Sequence, residues 1–178
     1  VVMDPHTGEI YAMANVPQFN PNHYGAFSQK VWKNNIVASS YEPGSIFKPI
    51  VAAAALDKEL ARPQDVYFCE NGKLKIGNAT IGEASNHKFG WMTMNDIIAK
   101  SSNIGVVKIA QQVGKKSFYE YIRKFGFGEK SGLSLPGESA GQLKAQKNWS
   151  NLSLASISFG HEIAVTPIQM VSALSAIA

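Results

Sequence analysis

The chain has 178 residues, of which 45% are hydrophobic and 17% charged, so it is long and apolar enough to bury a core and is not a disordered segment. Its formal net charge is +4 and its basic residues are scattered without a run of five, so no nucleic-acid-binding patch is expected. No apolar stretch reaches the roughly 18 residues of a membrane-spanning helix. Cys69 is the only cysteine, which excludes an intrachain disulfide and predicts a small buried or half-buried thiol.

The first predicted element is a β-hairpin over residues 1–14. A proline and a glycine within residues 4–8 are typical of a turn, and residues 10–14 alternate in the way of a strand. Because the sequence opens directly on strand-like residues, we expect the chain to be part of a longer protein. A loop rich in proline and asparagine follows, and residues 41–44 form a turn that leads into a helix from Ser45.

The middle of the chain changes from strands to helices. Residues 61–90 are polar and contain several glycines, which predicts loops and brief strands. Within them, Asn71-Gly72 predicts a hairpin turn. Helices resume after Thr93, which forms a capping-box pattern with Asp96. Polar residues 101–103 interrupt the apolar periodicity, so we expect them to form a turn between two helices.

Two further helices are predicted near the C-terminal end. Apolar residues spaced by three and four positions between 118 and 125 predict an amphipathic helix that ends at Gly126. A glycine-rich connection follows. Thr166 then begins a last helix as its N-cap, with Pro167 in the first turn and Gln169 completing a capping box.

Ser45 and Lys48 form a Ser-x-x-Lys pair at the start of a predicted helix. Positions i and i+3 lie on one helical face, so the hydroxyl and the amine can approach hydrogen-bond distance. A serine becomes a good nucleophile when a base accepts its proton, and a lysine can be that base if apolar surroundings keep it neutral. Ile46, Phe47 and Ile50 are such surroundings. On its own, the pair is more often a capping serine beside a lysine that reaches solvent.

A second polar motif, Ser101-Ser102-Asn103, follows on the predicted turn between helices, where side chains can converge on a cleft. Alone, it would be interpreted as a helix-breaking turn. Together with the Ser45 and Lys48 pair, in this order and at this spacing, it predicts a catalytic site.

Metal sites and other hydrolase types find no support in the sequence. The histidines show no metal-ligand spacing, and the segment Gly160–Val165 lacks the second histidine of a zinc-binding His-Glu-x-x-His helix. No Gly-x-Ser-x-Gly motif is present, which disfavours an α/β-hydrolase.

Five segments resemble the transpeptidase domain of class B penicillin-binding proteins, most closely the cell-division type. Ser-x-x-Lys and a Ser-x-Asn turn belong to the signature of penicillin-binding proteins and class A β-lactamases. The segments lie in the family's order across essentially the whole chain: VVMDPHTGEIYAMANVPQFNPN, YEPGSIFKP, AKSSNIGVVKIA, FGFGEKSGLSLPGE and GHEIAVTPIQM. The resemblance implies an α/β (α+β) fold of the penicillin-binding protein and serine β-lactamase type, a central antiparallel sheet flanked by helices.

The resemblance also implies roles for four residues. Ser45 is the nucleophile that attacks the penultimate D-alanine carbonyl of a peptidoglycan stem peptide and expels the terminal D-alanine. Lys48 is the general base, Ser101 relays the proton to the departing amine, and Asn103 binds the substrate backbone and helps to orient Lys48. An amine from a neighbouring stem peptide completes the cross-link, and β-lactams leave Ser45 acylated. No cofactor or metal is implied.

Lys130-Ser131-Gly132 spells K-S-G, a variant of the family's third motif, K-T-G. Its segment resembles a glycine-rich connection, and its neighbours predict a loop rather than a sheet-edge strand, so we do not assign it a catalytic role. The resemblance places the K-T-G strand after the last helix, beyond Ala178. We therefore expect residues 1–178 to be a partial transpeptidase domain that lacks its last strands and is inactive and poorly soluble by itself.

Two alternative functions stay open at this stage. A serine β-lactamase shares the fold and the Ser-x-x-Lys pair but must hydrolyse its acyl-enzyme, and no glutamate in a class A type loop is evident. A non-catalytic module that senses β-lactams or acts as a scaffold is the other. The lifetime of the acyl-enzyme separates the β-lactamase from the transpeptidase.

For the transpeptidase, the resemblance implies a cellular context. Its ligands are peptidoglycan stem peptides and β-lactams. An upstream anchor holds it at the extracytoplasmic, periplasmic face of the bacterial cytoplasmic membrane. Its expected partners are a membrane glycosyltransferase and divisome or elongation proteins.

Overall fold

The computed structural model describes all of residues 1–178. Its seven α-helices are α1 (Asn35–Ala38), α2 (Lys48–Asp57), α3 (Met94–Ala99), α4 (Asn103–Val113), α5 (Lys115–Lys124), α6 (Ser153–Ser158) and α7 (Pro167–Ser175). Its eight strands are β1 (Val2–Met3), β2 (Ile10–Ala12), β3 (Val66–Phe68), β4 (Lys73–Ile76), β5 (Ala79–Gly82), β6 (Trp91–Thr93), β7 (Gln142–Leu143) and β8 (Ile163–Ala164). A 3-10 turn at Gly44–Phe47 runs directly into α2. No helix is both long and apolar enough to cross a membrane.

All strand pairing is antiparallel and forms four separate pairs: β1 with β2, β3 with β6, β4 with β5, and β7 with β8. This confirms the expected mixed α/β fold with antiparallel strands. The β1–β2 pair is the predicted N-terminal hairpin, with Met3 opposite Ile10. Because two-stranded pairs are marginal alone, these strands depend on the helices for their burial.

The predicted hairpin turn at Asn71-Gly72 is wrong. These residues end a 3-10 turn, and the hairpin lies one strand later, where β4 and β5 are joined at Gly77. Asn71 and Gly72 do have the positive φ that their types favour, at 49° and 92°. The strand before them, β3, pairs with β6 instead of β4, so the local turn preference is satisfied without forming a hairpin.

The core is built around α2 and α4, which pack against each other. Ile50 and Val51 of α2 and Ile104 and Val107 of α4 are fully buried. Helix α2 buries alanines and aliphatic residues on most of its surface, as expected of a central helix. Cys69 is buried in the same cluster, which confirms the expectation of a buried thiol, and burial raises the pKa of this thiol.

The ends of the helices follow the sequence signals with two differences. The helix predicted from Ser45 begins as a 3-10 turn, and its α-helical part starts at Lys48. Gly126 has φ +85° directly after α5, and Thr166 with Gln169 forms a complete capping box at α7. At α3, the Asp96 N–H donates to the Thr93 hydroxyl at 3.1 Å, but the Asp96 carboxylate accepts from that hydroxyl rather than from the Thr93 N–H. Half of the predicted α3 capping box is therefore present.

Candidate active site

Ser45 lies exposed on the 3-10 turn that leads into α2. Gly44 enters this turn with φ +58°, a conformation that glycine adopts without steric penalty. Phe47 attaches the turn to the hydrophobic core, because it is fully buried and its ring centroid lies 5.1 Å from that of Phe127. The Ser45 hydroxyl makes no hydrogen bond within the protein, so the Ser45 to Lys48 bond that the i, i+3 spacing allowed is not present.

Lys48, the first residue of α2, is only 2% exposed although it is a lysine. Its Nζ donates to the Ser101 carbonyl oxygen at 2.5 Å, to the Ser101 Oγ at 2.9 Å and to the Asn103 Oδ1 at 2.8 Å. These bonds use all three donors of the ammonium group. The structure thus brings Lys48, Ser101 and Asn103 into direct contact, joining the start of α2 to the turn between α3 and α4.

Burial makes the Lys48 amine easier to deprotonate than a lysine in water. Burial lowers the pKa of Lys48 from 10.5 to about 8, and the negative charge of Glu83 acts in the opposite direction. Burial lowers the pKa because moving an ammonium group out of water destabilises the charged form. A lysine with such a pKa is able to accept a proton near neutral pH.

The Ser101 turn has an uncommon backbone conformation. Ser101 has φ +57°, a left-handed value that few non-glycine residues adopt. Helix α3 ends before it, and Ser102 caps α4 by accepting from the Gly105 N–H at 2.9 Å. This conformation lets both the carbonyl and the hydroxyl of Ser101 accept from one atom, Lys48 Nζ, which is the type of local strain found at functional sites.

Glu83, directly after β5, is a site residue that the sequence analysis missed. It is 8% exposed and accepts from the Ser102 Oγ at 2.5 Å, the Asn103 N–H at 2.6 Å and the Ile104 N–H at 3.3 Å. One signal pointed to such a group. Helix α4 has no acidic residue in its first turn, so its free N–H groups need an acceptor from elsewhere in the chain.

A distant segment, residues 160–165, holds the chain just before Ser45. Tyr41 and Val165 form a two-bond antiparallel bridge, and the Gly44 N–H donates to the Gly160 carbonyl at 3.1 Å. The Glu42 carboxylate accepts from the Glu162 N–H at 3.0 Å and lies 2.8 Å from His161 Nδ1. The hydrogen bond with His161 is the main cause that lowers the pKa of Glu42. Residues 41–44 are thus held by backbone and side-chain hydrogen bonds to this one segment.

Lys130-Ser131-Gly132 lies in the connection between α5 and β7, and this confirms the predicted loop. The Ser131 N–H donates to the Glu138 carboxylate at 2.6 Å, and the Ser131 hydroxyl donates to the same oxygen. None of the three residues forms a hydrogen bond with the Lys48 amine. The structure therefore gives no geometric reason to add this motif to the site.

Comparison with known proteins relates this geometry to a family. The family model for the penicillin binding protein transpeptidase domain matches residues 1–178. The chain is 37% identical over 179 residues to penicillin-binding protein PbpB of Mycolicibacterium smegmatis and 32% identical over 170 residues to peptidoglycan D,D-transpeptidase FtsI of Escherichia coli. These alignments cover 100% and 96% of the chain, and the chain spans 28% of the length of each relative.

Solved structures agree with the sequence relatives. Penicillin binding protein 3 from Mycobacterium tuberculosis, complexed with aztreonam, superposes with a TM-score of 0.91 at 36% identity, over 98% of this chain and 39% of that one. A peptidoglycan glycosyltransferase from Burkholderia ambifaria superposes with a TM-score of 0.87 at 31% identity, over 99% of this chain and 51% of that one. The chain therefore belongs to the family of penicillin-binding protein transpeptidase domains.

Proposed function

We propose that this chain carries the acylation centre of a peptidoglycan D,D-transpeptidase, with Ser45 as the nucleophile and Lys48 as its general base. The observation that carries the proposal is the state of Lys48, which is 2% exposed and bonded through Nζ to the Ser101–Asn103 turn, three positions after an exposed serine. Family membership and relatives named as peptidoglycan D,D-transpeptidases support the same reaction.

The proposed acylation begins when neutral Lys48 accepts the proton of the Ser45 hydroxyl. The Ser45 oxygen forms a bond to the penultimate D-alanine carbonyl carbon of a stem peptide, and the C–N bond to the terminal D-alanine breaks. The proton passes through the Ser101 hydroxyl to the departing amine, for which the Lys48 to Ser101 Oγ distance of 2.9 Å is suitable. Asn103 orients Lys48 through its side-chain oxygen and binds the substrate backbone.

The second half of the reaction releases Ser45. An amine of a neighbouring stem peptide attacks the ester carbonyl, forms the cross-linking amide bond, and returns a proton to the Ser45 oxygen. A β-lactam acylates Ser45 by opening its own ring, so no leaving group departs and the adduct persists. Relatives solved with aztreonam and ampicillin support β-lactams as ligands.

The wider context is part of the same proposal. The chain is a partial domain whose K-T-G strand lies outside residues 1–178, so that these residues alone are inactive. The intact protein works on the extracytoplasmic face of the membrane, is anchored upstream, and acts with a membrane glycosyltransferase and divisome or elongation proteins. Relatives named as a peptidoglycan D,D-transpeptidase and a stage V sporulation protein support a role in peptidoglycan synthesis.

The assignment of Ser45 is tested by covalent labelling of the intact protein with a fluorescent penicillin. Ser45→Ala should abolish the label and change the free energy of unfolding by no more than about 0.5 kcal/mol, because the hydroxyl is exposed and unbonded. Ser40→Ala, an exposed serine five positions earlier, is the matched control and should label normally.

Two results would count against the proposal. Full labelling of the Ser45→Ala variant would show that another residue is acylated. Release of the label from the native protein within seconds would indicate a β-lactamase, because a transpeptidase without its acceptor amine keeps its penicillin adduct.

A further inference from the structure

The carboxylate of Glu83 contacts the turn that holds Lys48 without contacting Lys48 itself. Its two oxygens accept from three consecutive residues, Ser102 at 2.5 Å, Asn103 at 2.6 Å and Ile104 at 3.3 Å. The residue before it extends the contact, because the Gly82 carbonyl accepts from Asn103 Nδ2 at 3.0 Å. Asn103 is thus held by its backbone and by its side-chain nitrogen.

We propose that Glu83 is a positioning residue for Lys48, acting both through the hydrogen bonds that fix the Ser101–Asn103 turn and through its negative charge. The inference rests on the proposed function, in which Lys48 is the base for Ser45. Every acceptor of Lys48 Nζ lies on residues 101 and 103, and Glu83 accepts a hydrogen bond from the backbone N–H of Asn103 in the same turn. Loss of the carboxylate therefore frees the segment on which Lys48 depends.

Glu83 forms no ion pair with another lysine that would weaken its effect on Lys48, because the lysines of the neighbouring helices pair with other carboxylates. On α4, Lys108 is paired with Glu70. On α3, Asp96 and Lys100 pair with each other at the surface.

The neighbouring thiol, Cys69, adds no second negative charge beside Glu83. The thiol of Cys69, which faces Ser102 at 3.5 Å, is kept protonated because burial raises its pKa. Glu83 is the ionisable neighbour that favours the protonated form of Lys48. Removing its charge therefore makes Lys48 lose its proton at lower pH.

A carboxylate that only caps α4 would behave differently. A structural cap changes stability and the rate of acylation, but it leaves the pH at which the rate is half-maximal unchanged. A positioning residue that also acts through its charge moves this pH midpoint. Glu83→Gln keeps the size of the side chain and removes the charge, whereas Glu83→Asp keeps the charge and shortens the reach.

The test measures the rate of acylation of the intact protein by a fluorescent penicillin between pH 6 and pH 10. For Glu83→Gln we expect a maximal rate lower by up to about a hundredfold, because the turn is misplaced. We also expect a lower pH midpoint, because an opposite charge that favours protonated Lys48 has been removed. Glu83→Asp should keep the native midpoint with a reduced rate. Glu120→Gln, an exposed carboxylate on α5, is the matched control and should keep both values.

A second variant covers the case in which Glu83→Gln does not fold, as judged by its thermal melt. Ser102→Ala removes one bond to Glu83 and leaves the charge in place, so its rate should fall while its midpoint stays native. A native rate in Ser102→Ala, or a native midpoint in folded Glu83→Gln, overturns the inference. Either result leaves the proposed function standing, since that proposal is tested separately by labelling of the Ser45→Ala variant and by the lifetime of the label on the native protein.

Discussion

At the residue scale, Lys48 is governed by two opposing effects. Burial favours its neutral amine, whereas three oxygen acceptors and the charge of Glu83 favour its ammonium form. The balance is a pKa of about 8, so about one-tenth of the molecules carry a neutral Lys48 at pH 7. A general base works best when its pKa is close to the operating pH, and Lys48 meets this condition.

This balance predicts the pH dependence of acylation. The rate should rise from about pH 6 to about pH 9 with a midpoint near 8, because protonated Lys48 is unable to accept the proton of Ser45. Lys48→Arg should be slower by orders of magnitude at every pH, since arginine keeps the charge and does not deprotonate. Stopped-flow measurement with a fluorescent penicillin gives both results, and a rate independent of pH would contradict the assignment of Lys48 as the base.

At the element scale, the turn that carries Ser45 is fixed by backbone contact with residues 160–165. A Cβ atom on Gly160 would lie 2.2 Å from the Gly44 carbonyl oxygen and 2.4 Å from the Gly44 nitrogen. Both atoms belong to the backbone and have little freedom to move. Gly160 also has φ +81°, where a side chain is strained. The residue before the proposed nucleophile is thus placed by a glycine more than a hundred positions away.

Gly160→Ala should therefore impair both stability and acylation. Positive φ alone destabilises by about 1–2 kcal/mol, and the clash with Gly44 adds about 1–3 kcal/mol. Displacement of Ser45 should lower the rate of acylation by about tenfold or more. Gly114→Ala is the matched control, because Gly114 has φ +82° and nothing within 4 Å of the added atom.

Urea denaturation and penicillin labelling of the two variants separate the effects. The Gly114→Ala variant should lose only the stability due to φ and should label at the native rate. Equal loss of stability in both variants, with native labelling in each, would show that the contact between Gly160 and Gly44 does not position Ser45.

At the scale of the whole molecule, the site lies where α2 and α4 both begin. Lys48 opens α2 and Asn103 opens α4, and the two side chains meet because the helices pack against each other through the core. Helix α3 supports α4 from the side at Gly105, where an added Cβ would lie 2.4 Å from Cγ1 of Ile97. The packing of three helices thus determines where the two turns of the site meet.

This packing predicts a coupling between Gly105 and Ile97. Gly105→Ala should destabilise the protein by about 1–3 kcal/mol through overpacking, and Ile97→Ala by about 2–5 kcal/mol through a cavity. The double variant should be less destabilised than the sum by about 1 kcal/mol or more, because the new methyl group fills part of the cavity. A double-mutant cycle by urea denaturation measures this difference, and strict additivity would contradict the close approach.

The sequence by itself determined the ends of α5 and α7 and the residue types of the proposed chemistry. Thr166, Gln169 and Gly126 act through bonds and dihedral angles within a few residues, so their local patterns predicted the right helix ends. The motif residues Lys48 and Asn103 were predicted to lie close together, and the structure places them 2.8 Å apart. Their catalytic roles stay predictions.

Only the tertiary structure decided which groups hold these residues in place. Glu83 lies in no motif recognised in the sequence, and Gly160 lies in a recognised segment that gives no sign of its contact with Gly44. Both act on backbone atoms of segments distant in the chain, and every residue type has such atoms. Asn71-Gly72 failed as a hairpin signal for a related reason, because β3 found its partner in β6. Local preference limits the conformation of a turn, but the choice of partner depends on burial and hydrogen bonding that arise only when the whole chain has folded.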